Sequence, residues 1–588
     1  MNQNDNKKIK IAIIFFIQSL LFLVLIGTIF NIFSKSSDLP KLKTSERDKA
    51  IRGDILSKNH YTIATSKKLY TAQVDTRCID PDKLDLFVKL FSIFSKLDPF
   101  YIREKLQSNF GFVNISTTLD SKSARYLSQL RYNLARYGVF RKYTDEKSGR
   151  SINHGLSIFE TGEYRIYPLK DTLSPYIGFM QKEHKGNYQS IRGKYGLEKY
   201  YDEQLEGIQS TYIEGRRDVR GNIILDQNSE AKNRIDGYDI ITSIYLKLQK
   251  RVEKILDEQI KVFKAKEIIA CVMDSSSANI VALASSRRYD PNKITVADVP
   301  NTSISAVRYI FEPGSVMKAI TFALLLQENA IRPLDIINVE NGRYRLGNKI
   351  ITDEHKYDYL SAENIIVHSS NVGMAKLSTL LDTITFFKGL RKFGFSRKSG
   401  IDLSYELSGS IPNIHQFKNS IFKATASYGY GMKVNFFQLL KAFNAFNNDG
   451  KILRPTIGEY FNPHTRTIRR IYRKRATAVI DKEVAETMHK ILVKTVNEGT
   501  GKGAYTPGLD IGGKTGTAQI AVKGVYEEIY NSSFFGFAND EQNRYTIGVT
   551  VIEPDPKLKK YFASQNAVVV FKKIVDAMVE EEMLIPSD

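Results

Sequence analysis

Three short stretches carry side chains able to work together on an acyl group. The first is FEPGSVMKAITFALLLQ, residues 311–327, where Pro313-Gly314 break the chain just before a long apolar run that favours helix. This pattern predicts that Ser315 lies at a helix start and that Lys318, three residues on, shares its face. A serine hydroxyl becomes a nucleophile when a base stands within hydrogen-bond reach. A lysine amine can be that base if burial and a second cation lower its pKa. The helix start adds backbone N–H groups and positive potential for a developing oxyanion. The second stretch, HSSNVGMAKL, sets Ser369-Ser370-Asn371 at the head of another helix-like run, and by itself reads as a helix cap. The third, GGKTGTAQI at 512–520, surrounds Lys514 with small residues such as Gly516, so a substrate can lie close along a strand edge. Lys514, Thr515 and Thr517 there offer a cation and two hydroxyls to a carboxylate.

Other matches carry less. Ser420 to Lys423 repeats S-x-x-K without the Pro-Gly opening and reads as chance. Gly508 to Thr515 formally fits the phosphate loop G-x-x-x-x-G-K-[ST], but strand-like residues follow it where that loop must open a helix. Asp353-Glu354-His355 reads as a solvated loop: no H-E-x-x-H or equivalent accompanies it, so neither a metal nor a cofactor is expected. Arg52-Gly53-Asp54 fits an adhesion tripeptide only as three common residues do. The basic run RTIRRIYRKR, 466–475, reads as a solvated surface rather than a nucleic-acid contact.

These side chains need a scaffold, and the chain is long enough for one. Its 588 residues correspond to three or four domains at about 150 residues each. Hydrophobic residues make up 42% and charged ones 25%, which excludes a disordered or collagen-like chain. A net charge of +21 suits an anionic partner: nucleic acid, a lipid surface or an anionic polymer. The two cysteines exclude a disulfide framework and a zinc site built on cysteine pairs, and Cys271 falls in an apolar strand. Residues Ile11 to Phe33 carry no charge and are long enough, as a helix, to cross a bilayer core of roughly 30 Å. Lys7, Lys8 and Lys10 precede this segment, which places the N-terminus in the cytoplasm and the rest of the chain outside. A turn near Lys58–His60 joins two strand-like runs, and 81–145 has helical spacing. EGRRDVRGNIIL reads as a further turn between strands. From Leu248 a helix is expected, then strands at 267–274 and 280–286, a strand at 545–553 and a closing helix at 566–582. The layout is α+β: one antiparallel sheet flanked by helices.

The three reactive stretches, in this order, resemble the S-x-x-K, S-x-N and K-T-G elements of the penicillin-recognising serine acyltransferases. Ser369 lies 54 positions after Ser315, and Lys514 a further 145, which suits that resemblance. RGDI at 52–55 resembles the start of the non-catalytic domain of class B penicillin-binding proteins. GLEKYYDEQLEG (196–207), YDPN (289–292) and SYGYGMKVNFFQLLKAFNAFNNDG (427–450) are similar to that class too. FEPGS, SSNVG and SYGYG most resemble its septal, cell-division member. SKNHYTIA at 57–64, SSRRYDPN and YFASQNAVVVF depart from the usual pattern.

The resemblance implies a cytoplasmic tail (1–10), a transmembrane anchor (11–33), a juxtamembrane linker (34–48), an elongated non-catalytic pedestal (49–237) and a serine transpeptidase domain (238–588). It implies that Ser315 is acylated by a D-Ala-D-Ala stem peptide with release of D-alanine, and that Lys318 is the base. Ser369 relays a proton to the leaving amine, and Asn371 holds the substrate amide and Lys318. Lys514 lowers the Lys318 pKa and, with Thr515, Gly516 and Thr517, binds the terminal carboxylate. The backbone N–H groups of Ser315 and Thr517 form the oxyanion hole. Stem peptides, β-lactams, a SEDS-family glycosyltransferase and divisome proteins are the implied partners, in septal wall synthesis at the cytoplasmic membrane. An elongation-type enzyme, a membrane-anchored β-lactamase or β-lactam sensor, and a scaffold with dispensable catalysis are the competing readings.

Overall fold

The N-terminal apolar run forms one helix, Gln3–Ser34. Its stretch Lys7–Ile32 contains an 18-residue window of mean hydropathy 2.7 and is long and apolar enough to cross a membrane. The computed structural model describes residues 3–34, 43–144, 151–152, 155–185, 188–218, 223–227, 229–463, 467–472, 475–522 and 524–587. Most of the expected juxtamembrane linker, the centre of EGRRDVRGNIIL and residues 466, 473 and 474 of the basic run lie outside these. So do the first two residues of the expected tail.

The chain divides into two units: Met1–Ala50 with Ile208–Ile235, and Ile51–Gly207 with Asp236–Asp588. In the first, strand Thr211–Arg217 pairs antiparallel with Lys43–Asp48, Ile223–Ile224 and Glu230–Lys232.

The second unit holds two large sheets. One runs Arg469–Arg470, Gly458–Asn462, Asp239–Thr242, Ile55–Leu56, Thr62–Asp75, Leu156–Ile166, Tyr188–Gly193, Met180–Lys185, with Phe112–Leu119 attached to Thr62–Asp75. The expected turn at Lys58–His60 is present, with His60 at φ 61°. The stretch read as helical does hold helices Leu84–Ser95, Pro99–Gln107 and Ser121–Arg136. Between them Phe112–Leu119 is a strand instead, because FVNISTTL is rich in β-branched residues and buries Val113 and Ile115 alternately. Arg52 of the RGD tripeptide is 2% exposed and cannot serve adhesion. Its guanidinium donates to Glu198 Oε2 at 2.9 Å and Asp202 Oδ1 at 2.8 Å, so RGDI and GLEKYYDEQLEG meet as one buried ion network.

The other sheet is antiparallel, in the order Ile280–Ser285, Glu267–Asp274, Arg544–Ile552, Val525–Asn539, Asp510–Val522. Its alternation explains the unbroken apolar run EIIACVMD. Ile268, Ala270 and Val272 face helices Leu246–Phe263 and Ala567–Glu580, while Ile269, Cys271 and Met273 face the helices on the other side. Both faces are covered, so no polar alternation survives in the sequence. The opposite layer contains helix Met317–Gln327, in which every residue from Met317 to Leu325 is buried.

Candidate functional site

Ser315 sits in the single 3-10 turn Gly314–Val316, immediately before helix Met317–Gln327. Two glycines make this turn possible. Gly314 holds φ +58°, a left-handed conformation that a side chain disfavours. Gly429 packs against it so closely that an added Cβ would stand 2.0 Å from the Gly314 carbonyl oxygen. Gly314 N donates to Gly429 O at 3.1 Å, and Phe311 and Val434 exchange two backbone bonds of 2.9 Å. Glu312 Oε1 accepts from Gly431 N at 2.7 Å. The SYGYG segment is therefore the wall that shapes the serine turn. On its other side the Lys514 strand, Asp510–Val522, presses directly on it. A Cβ on Gly516 would come within 2.9 Å of Pro313 O and of Val316 Cγ2.

Lys318 has no exposed surface. Its Nζ donates to the carbonyl oxygen of Ser369 and to Ser369 Oγ, the latter at 3.2 Å. Among the described residues no hydrogen bond joins Lys318 to Ser315 or to Asn371. Ser369 adopts φ +60° just ahead of helix Asn371–Ser378, which turns both its oxygens toward the lysine. Ser370 caps that helix, accepting from Gly373 N at 2.8 Å. The Asn371 Nδ2 donates to the carbonyl of Thr352 at 3.0 Å. The cap expected from SSN is thus present, and it is supplied by the middle residue.

Asp353 belongs here too, which corrects its reading as a solvated loop. It follows the hairpin Arg343–Leu346/Lys349–Thr352 and accepts from Asn371 N, Val372 N at 2.9 Å and Ser370 Oγ. Four free N–H groups at a helix start attract an acceptor of this kind, and a carboxylate also complements the dipole. Its sequence signal was the Leu-Gly-Asn-Lys turn, which marks a hairpin that delivers the next residue to a fixed place. Among the described residues no group of three His, Cys, Asp or Glu is arranged to hold a metal.

Lys514, on strand Asp510–Val522, is also fully buried. Its Nζ donates to Thr515 O at 3.2 Å and Thr515 Oγ1 at 3.3 Å. Thr515 Oγ1 pairs with Thr500 Oγ1 at 2.7 Å, a partner with no sequence signal. Thr517 Oγ1 accepts from Ala563 N at 3.0 Å, leaving its own hydrogen to donate. The competing motifs resolve simply. Lys514 lies in mid-strand, so 508–515 is no phosphate loop, and Lys423 donates to Leu381 O at 2.6 Å.

Burial pushes Lys318 down to about 7, against the opposing pull of Asp353 and Glu354. Burial holds Lys514 well below the ordinary lysine range, and the Lys318 charge lowers it further. Two amines in one dry site cannot both keep a proton cheaply. The arrangement can therefore present an unprotonated amine near a half-exposed serine hydroxyl at neutral pH.

Residues 268–576 match the family described as Penicillin binding protein transpeptidase domain, and residues 47–242 match the Penicillin-binding Protein dimerisation domain. The chain is 31% identical over 395 residues to a probable peptidoglycan D,D-transpeptidase PenA of Neisseria flavescens, covering 65% of this chain and 93% of that one. It is 25% identical over 555 residues to the peptidoglycan D,D-transpeptidase FtsI of Buchnera aphidicola subsp. Baizongia pistaciae, covering 91% of this chain and 88% of the relative. Among solved structures it is similar in fold to penicillin binding protein 2X of Streptococcus thermophilus, with TM-score 0.75, 21% identity, and 92% and 81% of the two chains covered.

Proposed function

The chain belongs to the class B penicillin-binding proteins, and from that premise we propose that it cross-links peptidoglycan through an acyl-enzyme on Ser315. As a serine D,D-transpeptidase it takes a stem peptide ending in D-Ala-D-Ala. Ser315 Oγ attacks the carbonyl of the penultimate residue while Lys318 accepts the hydroxyl proton. The backbone N–H groups of Ser315 and Thr517 hold the oxyanion. As the tetrahedral adduct collapses, the C–N bond breaks, and Ser369 passes the proton from Lys318 to the departing D-alanine amine. An amine of a neighbouring stem then attacks the ester, and the same groups return the proton to Ser315. Asn371, fixed through Nδ2, offers Oδ1 to a substrate N–H. Lys514, Thr515 and Thr517 receive the terminal carboxylate, and Gly516 lets it approach.

The observation that carries this reading is the Lys318 amine: fully buried, held near 7 and bonded to Ser369 one helical turn beyond Ser315. The N-terminal helix serves as a single-pass anchor, with Lys7, Lys8 and Lys10 keeping the tail in the cytoplasm and the catalytic part outside. The similarity to FtsI favours septal synthesis, alongside a SEDS-family glycosyltransferase and other divisome proteins. Residues 49–237 act as pedestal and 238–588 as the transpeptidase domain.

The test is acylation of the full-length, detergent-solubilised protein by labelled penicillin, followed by peptide mapping, with Ser315→Ala alongside. A long-lived adduct on Ser315, absent from the variant, is expected. An adduct that turns over within seconds would make the protein a β-lactamase. Absence of any adduct on folded protein would leave it a scaffold.

A further inference from the structure

Away from Ser315, a cavity of about 720 Å³ opens on the same unit, bounded by the segment 391–406 and by residues around Arg454 and Arg475. Its wall is strongly basic. Arg391, Lys392, Arg397, Lys398, Arg454 and Arg475 line it, with Lys441 at the base. Among the described lining residues a single carboxylate, Glu406, stands against them.

That carboxylate does not neutralise the cavity. It is buried, and both its oxygens are engaged by the loop itself. Ser399 N donates to Oε1 at 2.6 Å, Gly400 N to Oε2 at 3.0 Å, and Asn435 Nδ2 to Oε1 at 3.1 Å. The rim is held in place by other bonds. Lys441 Nζ donates to Ser399 O at 3.0 Å, and Gln438 Nε2 donates to the carbonyls of Arg397 and Ser408, each at 2.7 Å. Arg454 is fixed between Gly400 O and the Tyr200 hydroxyl, with its guanidinium 5.8 Å from the Tyr200 ring centre. A second observation points to a ligand. The Ser404 hydroxyl, on the same wall, is buried and has no hydrogen-bond partner. A buried hydroxyl left unsatisfied costs stability, so this one calls for a partner.

We infer that this cavity is a second ligand site, separate from the Ser315 site, for a phosphate or pyrophosphate group. A single carboxylate would leave most of the wall charge unbalanced, whereas a polyvalent oxyanion offers several acceptors to guanidinium forks and to the Ser404 hydroxyl. A soluble phosphate and a phospholipid headgroup share that chemistry.

The experiment is calorimetric titration of the full-length protein in neutral detergent with inorganic pyrophosphate, at ionic strength matched with potassium chloride. Saturable binding at one site per chain is expected. The exposed pair Arg397→Glu/Lys398→Glu weakens it at least tenfold, and Ser404→Ala weakens it several-fold. The pair Lys247→Glu/Lys250→Glu, an equal charge change on the exposed face of helix Leu246–Phe263, leaves it within twofold. Penicillin acylation of Ser315 in each variant reports that the fold is intact. Equal weakening by both charge pairs would reduce the effect to diffuse electrostatics and overturn the site, as would the absence of saturable binding. Phosphatidylglycerol added to the micelles then separates the sources: competition with pyrophosphate assigns a lipid headgroup, and its absence a soluble phosphate.

Discussion

A lysine with no exposed surface, bonded to one hydroxyl and one carbonyl, holds its proton poorly, although Asp353 and Glu354 pull the other way. In the proposed mechanism deprotonated Lys318 accepts the proton of Ser315, so acylation should rise with pH between 6 and 8 and be half-maximal near 7. Stopped-flow acylation by a chromogenic β-lactam measures it, and a flat profile from pH 5 to 9 would remove Lys318 as the base. The same shift bears on stability. The folded value lies below the ordinary 10.5, so between about 7 and 10.5 the unfolded chain binds more protons. Stability therefore climbs with pH across that window, and the full penalty is present below it. Lys318→Met removes the penalty. At pH 7 it should stabilise the protein by on the order of 2–4 kcal/mol, after allowing for the lost Ser369 bonds, while abolishing acylation. At pH 10 the gain should nearly vanish in the same melting experiment.

The elements explain why those side chains meet. Helix Asn371–Ser378 is aimed by Asp353, and Ser369 is aimed by the helix, so Asp353 acts on Lys318 through position and charge together. Asp353→Asn keeps the shape but weakens the cap and removes a charge that raises the Lys318 pKa. Acylation at pH 8 should fall about tenfold, since a charged cap is worth on the order of 1 kcal/mol, and the midpoint of its pH profile should move to lower pH. An unmoved midpoint would mean a purely structural residue. Gly516→Ala tests the other contact: a methyl group 2.9 Å from Pro313 O must push strand and turn apart. It should cost acylation more than a hundredfold while the strand itself persists, because displacements of about 1 Å at a reacting centre carry losses of that size. How much of this the sequence displayed follows from what each contact needs. Ser315, Lys318 and Lys514 stand in local patterns, a chain break before a helix and small residues along a strand, and those patterns survive in one dimension. Strands Glu267–Asp274, Ile280–Ser285 and Arg544–Ile552 were legible by their apolar runs, but Val525–Asn539 was not, because it opens on VYEEIY, which is not buried. Asp353, Thr500 and Gly429 act across contacts between elements distant in sequence, so their types alone gave no sign of the partner. Phe112–Leu119 was passed over because helices flank it on both sides, although its β-branched residues mark it as a strand.

At the scale of the molecule, the nine-stranded sheet decides how the pedestal and the catalytic part respond to damage. Strand Asp239–Thr242 pairs with Ile55–Leu56 on one side and with Gly458–Asn462 on the other, so one hydrogen-bonded ladder crosses from one to the other. Residues 51–207 and 236–588 accordingly cluster as one unit. Glu198 lies at its heart with no exposed surface, accepting from Arg52 at 2.9 Å and from Arg165 at 2.7 Å. Removing one partner of a buried ion network strands the remaining charges in a dry interior, at a cost of about 3–5 kcal/mol. Glu198→Gln keeps the volume and deletes only the charge, so it isolates that cost. Because the ladder couples the two parts, the loss should appear as a single calorimetric transition shifted down by several degrees. Acylation of Ser315 at 25 °C should stay within twofold, and on heating it should disappear together with protease resistance of the pedestal. Two separated transitions, with acylation surviving the first, would show that the ladder does not couple them and that the pedestal melts alone.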